Sequence, residues 1–476
     1  MSDVPAYLPP ENSIPTLEVP SLEGARRAHL VGIGGAGMRG IARILLARGV
    51  VVSGSDLKAF PGEDDLRKSG ATISIGHDAS NLGVVDAVVV SSAIPPSNPE
   101  LVAARERGLP VYARAQILAG LASGARTFAV AGTHGKTTTT SMLAVVLARA
   151  GLDPTYVVGG DLNESGSGAH SGRGDAFVAE TDESDGSFLL FRPEVGIVTN
   201  VEEDHLDFYA DAAEIRSAFA GFASQSSHVV AWGDDPGTRV ALEASSATDI
   251  VTFGSGPGND ARLEAASDPS EPGRLHLPDG GSVELRLALP GEHNLRNASA
   301  ALLAARFAGV QPDAAADALA SFTGVRRRFE FRGEGRGATF VDDYAHLPSE
   351  IEVTLRAARA RATGRVVAVF QPHRYSRTQA LWKPLGESLE NADLVVVTDV
   401  YDAGEQPIPG VSGKLLIDAL AEVHPARRMA FLPRRGDVVR YLEREVREGD
   451  LVLTLGAGDI TMVADEVLER VGTQGA

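Results

Sequence analysis

A chain of 476 residues, 43% of them hydrophobic and 22% charged, is long enough for two or three domains that each bury a core. It has no cysteine, which excludes disulfides, thiol catalysis and zinc–thiolate sites, and no apolar run approaches the roughly 18 residues of a membrane span. The net charge of −19 argues against broad nucleic-acid binding, so an anionic ligand must be held by local devices: glycine loops, helix N-termini, a few Arg or Lys, and metal ions.

Residues 1–27 are rich in Pro and acidic residues and lack the basic and apolar regions of a signal peptide. They read as a flexible extension of a protein expected in the cytoplasm. From Ala28 onward, strand-like and helix-like runs alternate, which predicts parallel α/β sheets. The first, "AHLVGIGGAGMRGIARILLARG", places Gly32, Gly34 and Gly37 at the G-x-G-x-x-G spacing between a strand and a helix. Glycines there let the backbone approach a pyrophosphate, and the helix N-terminus offers free N–H groups. Asp56 ends the next strand-like run, where a carboxylate can meet a ribose hydroxyl. The spacing fits a nicotinamide dinucleotide and a UDP-sugar equally, and a purely structural turn is a third reading.

A second strand–turn–helix unit, "TFAVAGTHGKTTTTSMLAVVLARAG", carries Gly132, Thr133, His134, Gly135, Lys136, Thr137 and Thr138. It is a short phosphate loop, with two residues between the glycines instead of the usual four. Backbone N–H groups cradle phosphate, Lys136 meets the β- and γ-phosphates, and Thr137 reaches Mg²⁺. Later strand-like runs end at Glu180 and at Asn200, Asp204 and His205. Ligands gather beyond the carboxyl ends of parallel strands, so Glu180 and His205 can converge on a metal near Lys136. Taken alone, His205 is more often a surface residue, and the cluster Asp182, Glu183 and Asp185 reads as solvated. Gly254–Gly281 reads as a β-rich excursion within the middle domain, and "ADLVVVTDVYDAGE" and "GDLVLTLGAGDI" supply further α/β units near the end.

In order along the chain, "AGTHGKTTT", Glu180–Asp185, "TNVEEDHLD", "GEHNLRNASAA", "RRRFE", "DDYAHLPSE" and "QPHRYSRT" resemble the motif series of the Mur ligases, within them the alanine-adding member. The resemblance runs from about His29 to the C-terminus. It implies an α/β protein of three domains: a Rossmann-like N-terminal domain binding a UDP-sugar (28–122), a P-loop-type central ATPase domain (123–323), and a Rossmann-like C-terminal domain for the amino acid and for closure (324–476). The implied reaction joins the carboxylate of UDP-N-acetylmuramate to L-alanine through an acyl phosphate, using ATP with Mg²⁺ or Mn²⁺, in cytoplasmic peptidoglycan precursor synthesis. A monomer or homodimer is implied, with neither nucleic acid nor a membrane span.

Carried over residue by residue, the resemblance gives catalytic roles to Lys136, Glu180, His205 and Arg326, and metal ligation to Thr137, Glu180 and His205. ATP would meet Gly132–Thr138, His293, Asn294, Asn297, Arg326 and Asp343. The sugar nucleotide and alanine would meet Gly34, Gly35, Ala36, Gly37, Ser55, Asp56, His77, Ser92, Ala93, Tyr344, His346, His373, Arg374 and Arg377. Two positions depart from the family: Leu347 stands where a polar residue is usual, and Arg39 where a small one is. No lysine lies between Lys136 and Lys383, so the carbamylated lysine of several relatives has no counterpart. A nicotinamide-dependent dehydrogenase leaves the second phosphate loop unexplained, and a P-loop switch leaves the first turn unexplained. A ligase attaching a recycled peptide to the same UDP-sugar is the rival within the family. The C-terminal domain is expected to close on the other two, pivoting near Thr323–Arg328.

Overall fold

The computed structural model describes residues 26–91, 93–163, 165–204, 208–266 and 271–472. All but the last two residues of the N-terminal extension, and the candidates Ser92 and His205, lie outside them. Near-continuous apolar runs form the central strands: "RTFAVA", "VGIV", "VVAVF" and "LVLTL" are buried along almost their whole length, as expected for parallel strands covered on both faces.

The first sheet contains β1 (Arg27–Val31), β2 (Val51–Asp56), β3 (Thr72–Ile75), β4 (Ala87–Val90) and β5 (Val111–Ala113), all parallel in the order β3-β2-β1-β4-β5. Its helices are α1 (Ala36–Ala47), α2 (Glu63–Lys68), α3 (Pro99–Glu106) and α4 (Arg114–Ala122). The order reverses between β1 and β4, the topological switch point where such sheets bind ligands.

The second sheet is built around β6 (Arg126–Ala131), with α5 (Lys136–Arg149) following it. Next come β7 (Thr155–Val157), β8 (Ala169–His170), β9 (Ala176–Glu180), β10 (Val195–Val198), β11 (His228–Trp232) and β12 (Ile250–Gly254). The run 254–281 expected to be β-rich supplies β13 (Ala261–Glu264) and β14 (Gly273–His276), which with β15 (Ser282–Leu285) form an antiparallel meander. The full order is β15-β14-β13-β12-β11-β10-β6-β9-β7-β8. Helices α6 (Ala212–Gln225), α7 (Pro236–Ala244), α8 (Glu292–Phe307) and α9 (Pro312–Ala320) cover it. Asp211 and Asp235 cap α6 and α7 by accepting backbone N–H groups of their first turns.

The third sheet comprises β16 (Glu330–Gly335), β17 (Ala338–Asp343), β18 (Val366–Phe370), β19 (Leu394–Val397), β20 (Arg428–Phe431) and β21 (Leu451–Leu455), in the order β16-β17-β21-β18-β19-β20. Five helices accompany it: α10 (Pro348–Arg361), α11 (Tyr375–Glu387), α12 (Lys414–Val423), α13 (Arg435–Glu445) and α14 (Met462–Val471).

The chain forms two compact units. One takes in the first two sheets, up to Ala288 together with Asn294–Thr323; the other comprises Leu289–His293 and the chain from Gly324 onward. Within the first unit a single hydrophobic core crosses from sheet to sheet. Ile41 and Ile44 of α1 and Ile117, Leu118 and Leu121 of α4 pack with Val157, Ala169, Phe177, Ala179 and Phe191. Gly40 makes the approach possible: a Cβ there would lie 3.2 Å from both Ala169 and Val157. Helix α4 is buried on nearly every side, so the sheet before it has no separate outer face at this end. Among the described residues no helix is long and apolar enough to cross a membrane.

Candidate active site

Strand β6 lies between β9 and β10, all parallel, with Val130 opposite Glu180 and Ala131 opposite Val198. The carboxyl ends of three strands therefore meet around the loop that joins β6 to α5. Gly132 (φ +140°) and Gly135 (φ +80°) take backbone angles that favour glycine. The end of β10 clamps the loop. Asn200 Oδ1 accepts from the His134 N–H at 2.8 Å, and the Thr199 hydroxyl donates to the His134 carbonyl at 2.6 Å. On the far side of the loop, the Glu202 N–H donates to the Thr133 hydroxyl at 2.9 Å. Asn297 of α8 packs directly on Gly135, where a Cβ would fall 2.6 Å from its Oδ1, and its amide donates to Asn294 at 3.4 Å.

Lys136 folds back over the loop. Its Nζ donates to the carbonyls of Gly132 (2.6 Å) and Thr133 (3.2 Å) and to Glu183 Oε1 (2.6 Å). Burial disfavours the ammonium, but Glu183, then Asp182 and Glu180, outweigh it and hold the pKa above the ordinary lysine value. Glu180 accepts from the Thr137 hydroxyl at 2.9 Å and from the Gly159 N–H at 2.6 Å. Thr137 and Glu180 thus form an oxygen-only pair at the N-terminus of α5, the donor type that suits a hard divalent cation. Among the described residues no three His, Asp or Glu side chains gather as a ready-made metal cage. Of the acidic run, Glu183 is buried, at 3% exposure, whereas Asp182 and Asp185 are half-buried. Burial opposes the charge of Asp182, yet Arg114 and Ser184 hold its pKa low, whereas burial pushes Asp185 up.

At the first glycine turn only Gly32 has positive φ, +80°. Asp56, the last residue of β2, accepts the Gly34 N–H at 2.9 Å. Arg114, the first residue of α4, lies across the start of α1, where a Cβ on Gly37 would meet its Nη1 at 3.0 Å. Its Nη2 donates to Asp182 at 3.1 Å. A cavity of about 210 Å³ opens between the two loops, lined by Gly37, Arg114, Lys136, Gly159, Glu180 and Asp182 among others. Ala93 is exposed.

Ser55 requires a correction. It is fully buried, and its hydroxyl donates to Glu100 Oε2 at 2.5 Å, so it faces the interior and not a ligand. His77 Nδ1 meets the same Ser55 hydroxyl at 2.9 Å. Glu100, itself fully buried, also receives His29 and the Asn81 amide. Burial opposes its charge, but hydrogen bonds from His29, Ser55 and Asn81 prevail and hold it at about 2. Nothing in the spacing of residues 29, 55, 77 and 100 signals this network.

A separate cluster occupies the carboxyl edge of the third sheet, in the second unit. The Tyr344 ring lies beneath the Arg327 and Arg328 guanidiniums at 5.0 and 5.3 Å. His346 meets Tyr344 edge-on at 5.3 Å and His373 at 6.1 Å, and His373 stacks on Tyr401 at 5.6 Å. Arg377 Nη1 donates to His373 Nδ1 at 3.4 Å. Burial first, and Arg377 next, push His373 down to about 4, while burial lowers His346. Arg374 is exposed and sits at φ +70°, a conformation non-glycine residues seldom adopt. Asp343 accepts the Phe329 and Ala345 N–H groups, and burial pushes it up to about 6. Arg326 is half-exposed with Glu330 nearby at 3.9 Å, and His293 also falls in the second unit. Leu347, given no role by the sequence, is buried at the start of α10.

Three family models match the chain in succession: "Mur ligase family, catalytic domain" over residues 27–126, "Mur ligase middle domain" over 130–305, and "Mur ligase, glutamate ligase domain" over 327–458. The chain is 50% identical to the UDP-N-acetylmuramate–L-alanine ligase of Kineococcus radiotolerans, across 93% of this chain and 95% of that protein. It is 46% identical to the enzyme of the same name from Pelotomaculum thermopropionicum, across 94% and 98%. The crystal structure of UDP-N-acetylmuramate-alanine ligase from Thermotoga maritima superposes with a TM-score of 0.80 at 31% identity, covering 93% of this chain and 98% of that one.

Proposed function

The chain belongs to the Mur ligase family, and from that membership we propose that it joins the carboxylate of UDP-N-acetylmuramate to the amine of L-alanine at the expense of ATP, in cytoplasmic peptidoglycan precursor synthesis. The observation that carries this reading is the meeting of two glycine turns at one cavity. One turn bears Lys136 among carboxylates, and the other opens a helix N-terminus beside Arg114.

A free carboxylate is a poor acyl donor, because its leaving group is oxide. Transfer of the ATP γ-phosphoryl group to a carboxylate oxygen makes an acyl phosphate and releases ADP. The neutral amine of alanine then attacks the carbonyl, phosphate departs, and an amide remains. Such a transfer needs positioning and charge neutralisation above all. Lys136, kept charged by Glu183, exchanges its two loop carbonyls for phosphate oxygens. The N–H groups at the start of α5 complete the cradle. Thr137 and Glu180 fit Mg²⁺ or Mn²⁺, with His205 proposed beside them; the ion would neutralise charge on the transferring phosphoryl group. Asn294 and Asn297 support the loop on its adenine side, and Arg326 and Asp343 are proposed to meet the nucleotide. Tyr344, His346, His373, Arg374 and Arg377 are proposed to hold alanine. Burial keeps the His346 imidazole neutral near pH 7, and it is proposed to take the proton that alanine's ammonium must shed, whereas His373, held at about 4 with its Nδ1 facing Arg377, is too weak a base for that step.

A phosphate-release screen with ATP, Mg²⁺, UDP-N-acetylmuramate and each amino acid in turn tests the reading. Release is expected with L-alanine and only when the UDP-sugar is present. Release with a preassembled peptide and not with alanine would move the chain to the peptide-recycling branch. Tight NAD binding with no response to the UDP-sugar would overturn the proposal.

A further inference from the structure

Glu350 stands in the first turn of α10, beside the cluster on the carboxyl edge of the third sheet. Its Oε2 accepts the His346 N–H at 3.0 Å and the Leu347 N–H at 3.2 Å, which caps the helix. A third group meets the same oxygen: His346 Nδ1 lies 3.3 Å from it and 3.1 Å from the Tyr344 carbonyl. A carboxylate and a carbonyl only accept, so Nδ1 carries the hydrogen and the neutral imidazole keeps its lone pair on Nε2. The charges facing this ring come from three other elements. Arg377 belongs to α11 and Arg328 to the segment before β16, while His373, beyond β18, is a neutral ring 6.1 Å away. Burial lowers the His346 pKa, Glu350 pulls it back up, and Arg377 and Arg328 push it down. Glu350 is half-buried, with Arg328 3.9 Å from its other oxygen.

We infer that Glu350 is a positioning residue for deprotonation of the amino acid: it holds His346 with Nδ1 protonated and Nε2 as the base, and its carboxylate balances the imidazolium that forms. The inference rests on the function proposed above. In this step one N–H bond of alanine's ammonium breaks, the electron pair stays on the amine nitrogen, and the proton joins Nε2. The ring then carries a full positive charge close to two guanidiniums, which a buried site disfavours without a counter-charge. Glu350 supplies that charge on the Nδ1 side. A carboxylate placed there both fixes the tautomer and makes the far nitrogen a stronger base. The helix cap and the base are thereby set by one side chain, four residues from the ring it orients.

Glu350→Gln in the full chain separates charge from cap, because the amide oxygen still accepts the His346 and Leu347 N–H groups. The variant should lose about tenfold in kcat/KM for L-alanine, and the acid limb of its pH profile should move about one unit lower. KM for ATP and for UDP-N-acetylmuramate should each change less than about threefold. A second measurement needs no Glu350 variant to fold. Nitrogen-15 spectra of histidine-labelled wild type, with His346 assigned through His346→Gln, should show Nδ1 protonated and Nε2 bare. A bare Nδ1 overturns the inference and leaves the ligase reading intact. So does a Glu350→Gln profile with rate and acid limb both unchanged, or a loss that falls equally on all three substrates, as a purely structural cap would give. A wild type that releases no phosphate with alanine and the UDP-sugar overturns both.

Discussion

Both Gly32–Gly37 and Gly132–Lys136 lead from a buried parallel strand into a helix, yet only the second carries its own cation. In the first turn one glycine has positive φ, the Gly34 N–H is taken by Asp56 and the Gly35 N–H by the Gly32 carbonyl, and the charged partners arrive from far along the chain: Asp56 from β2 and Arg114 from α4. In the second, two glycines have positive φ, Lys136 is part of the turn, and the neighbouring strands supply the clamp and the carboxylates. The same backbone device thus serves as a passive seat in one case and a charged, tightly held cradle in the other. The cradle should tolerate change poorly, and the seat should tolerate it better.

The sharpest way to break that contrast is Gly132→Ala. A methyl group there would overlap the Thr199 hydroxyl and crowd the backbone of Asn200, at a φ that alanine resists. Turnover should fall on the order of 10³-fold, about 4 kcal/mol, with affinity for the UDP-sugar retained. Lys136→Ala should cost on the order of 10²-fold in kcat, again without affecting UDP-sugar binding measured by calorimetry. If that variant keeps near-normal turnover, the second turn is not a phosphate cradle.

Beneath the passive seat, Glu100→Gln should lower unfolding stability on the order of 3 kcal/mol at pH 7, read by chemical denaturation. Glu100 is held at about 2 in the fold against an ordinary 4.5. Its contribution is therefore complete above pH 4.5 and lost as pH falls toward 2, so the gap between variant and wild type should narrow over that window. A pH-independent gap would mean that shape, and not charge, is what the position supplies. The smallest effect belongs to Gly34→Ala. Its Cβ would meet the Phe60 ring at 2.6 Å and Asp56 Oδ2 at 2.7 Å, both side-chain atoms with some freedom to yield. KM for the sugar nucleotide should rise roughly tenfold, about 1.4 kcal/mol, with kcat nearly unchanged. A loss as large as that of Gly132→Ala would erase the distinction between seat and cradle.

The pattern of the two turns was legible from residue spacing because each is local: strand, glycines and helix follow within about ten residues. Glu180 was legible for a related reason, since an acidic residue ending an apolar strand must emerge at the ligand-binding edge. What could not be read was long-range. Arg114 and Asp182 are 68 residues apart, and Ser55 and Glu100 are 45 apart; no periodicity links them. Ser55 was carried over from the family resemblance, and alternation along β2 turns it inward. The acidic run 182–185 looked solvated because its counter-ions, Lys136 and Arg114, come from other elements. One missed signal was available: after Arg114 and Gln116, α4 ("RAQILAGLA") is apolar around its whole circumference, and a helix of that kind must be covered on nearly every side.

The core that runs beneath α1 and α4 also bears on how the gene could be divided. A fragment ending at Ala122 would leave Ile41, Ile44, Ile117 and Leu121 open to water, and the remainder would begin with Val157, Phe177 and Phe191 equally bare. Complementary apolar faces of this kind drive association. The first 122 residues are therefore not a transferable cassette that can be grafted onto another ATPase to change its sugar nucleotide. Produced together as separate chains, the two pieces should instead find one another and rebuild the joint cavity, which makes this seam a natural place for a split-protein reporter.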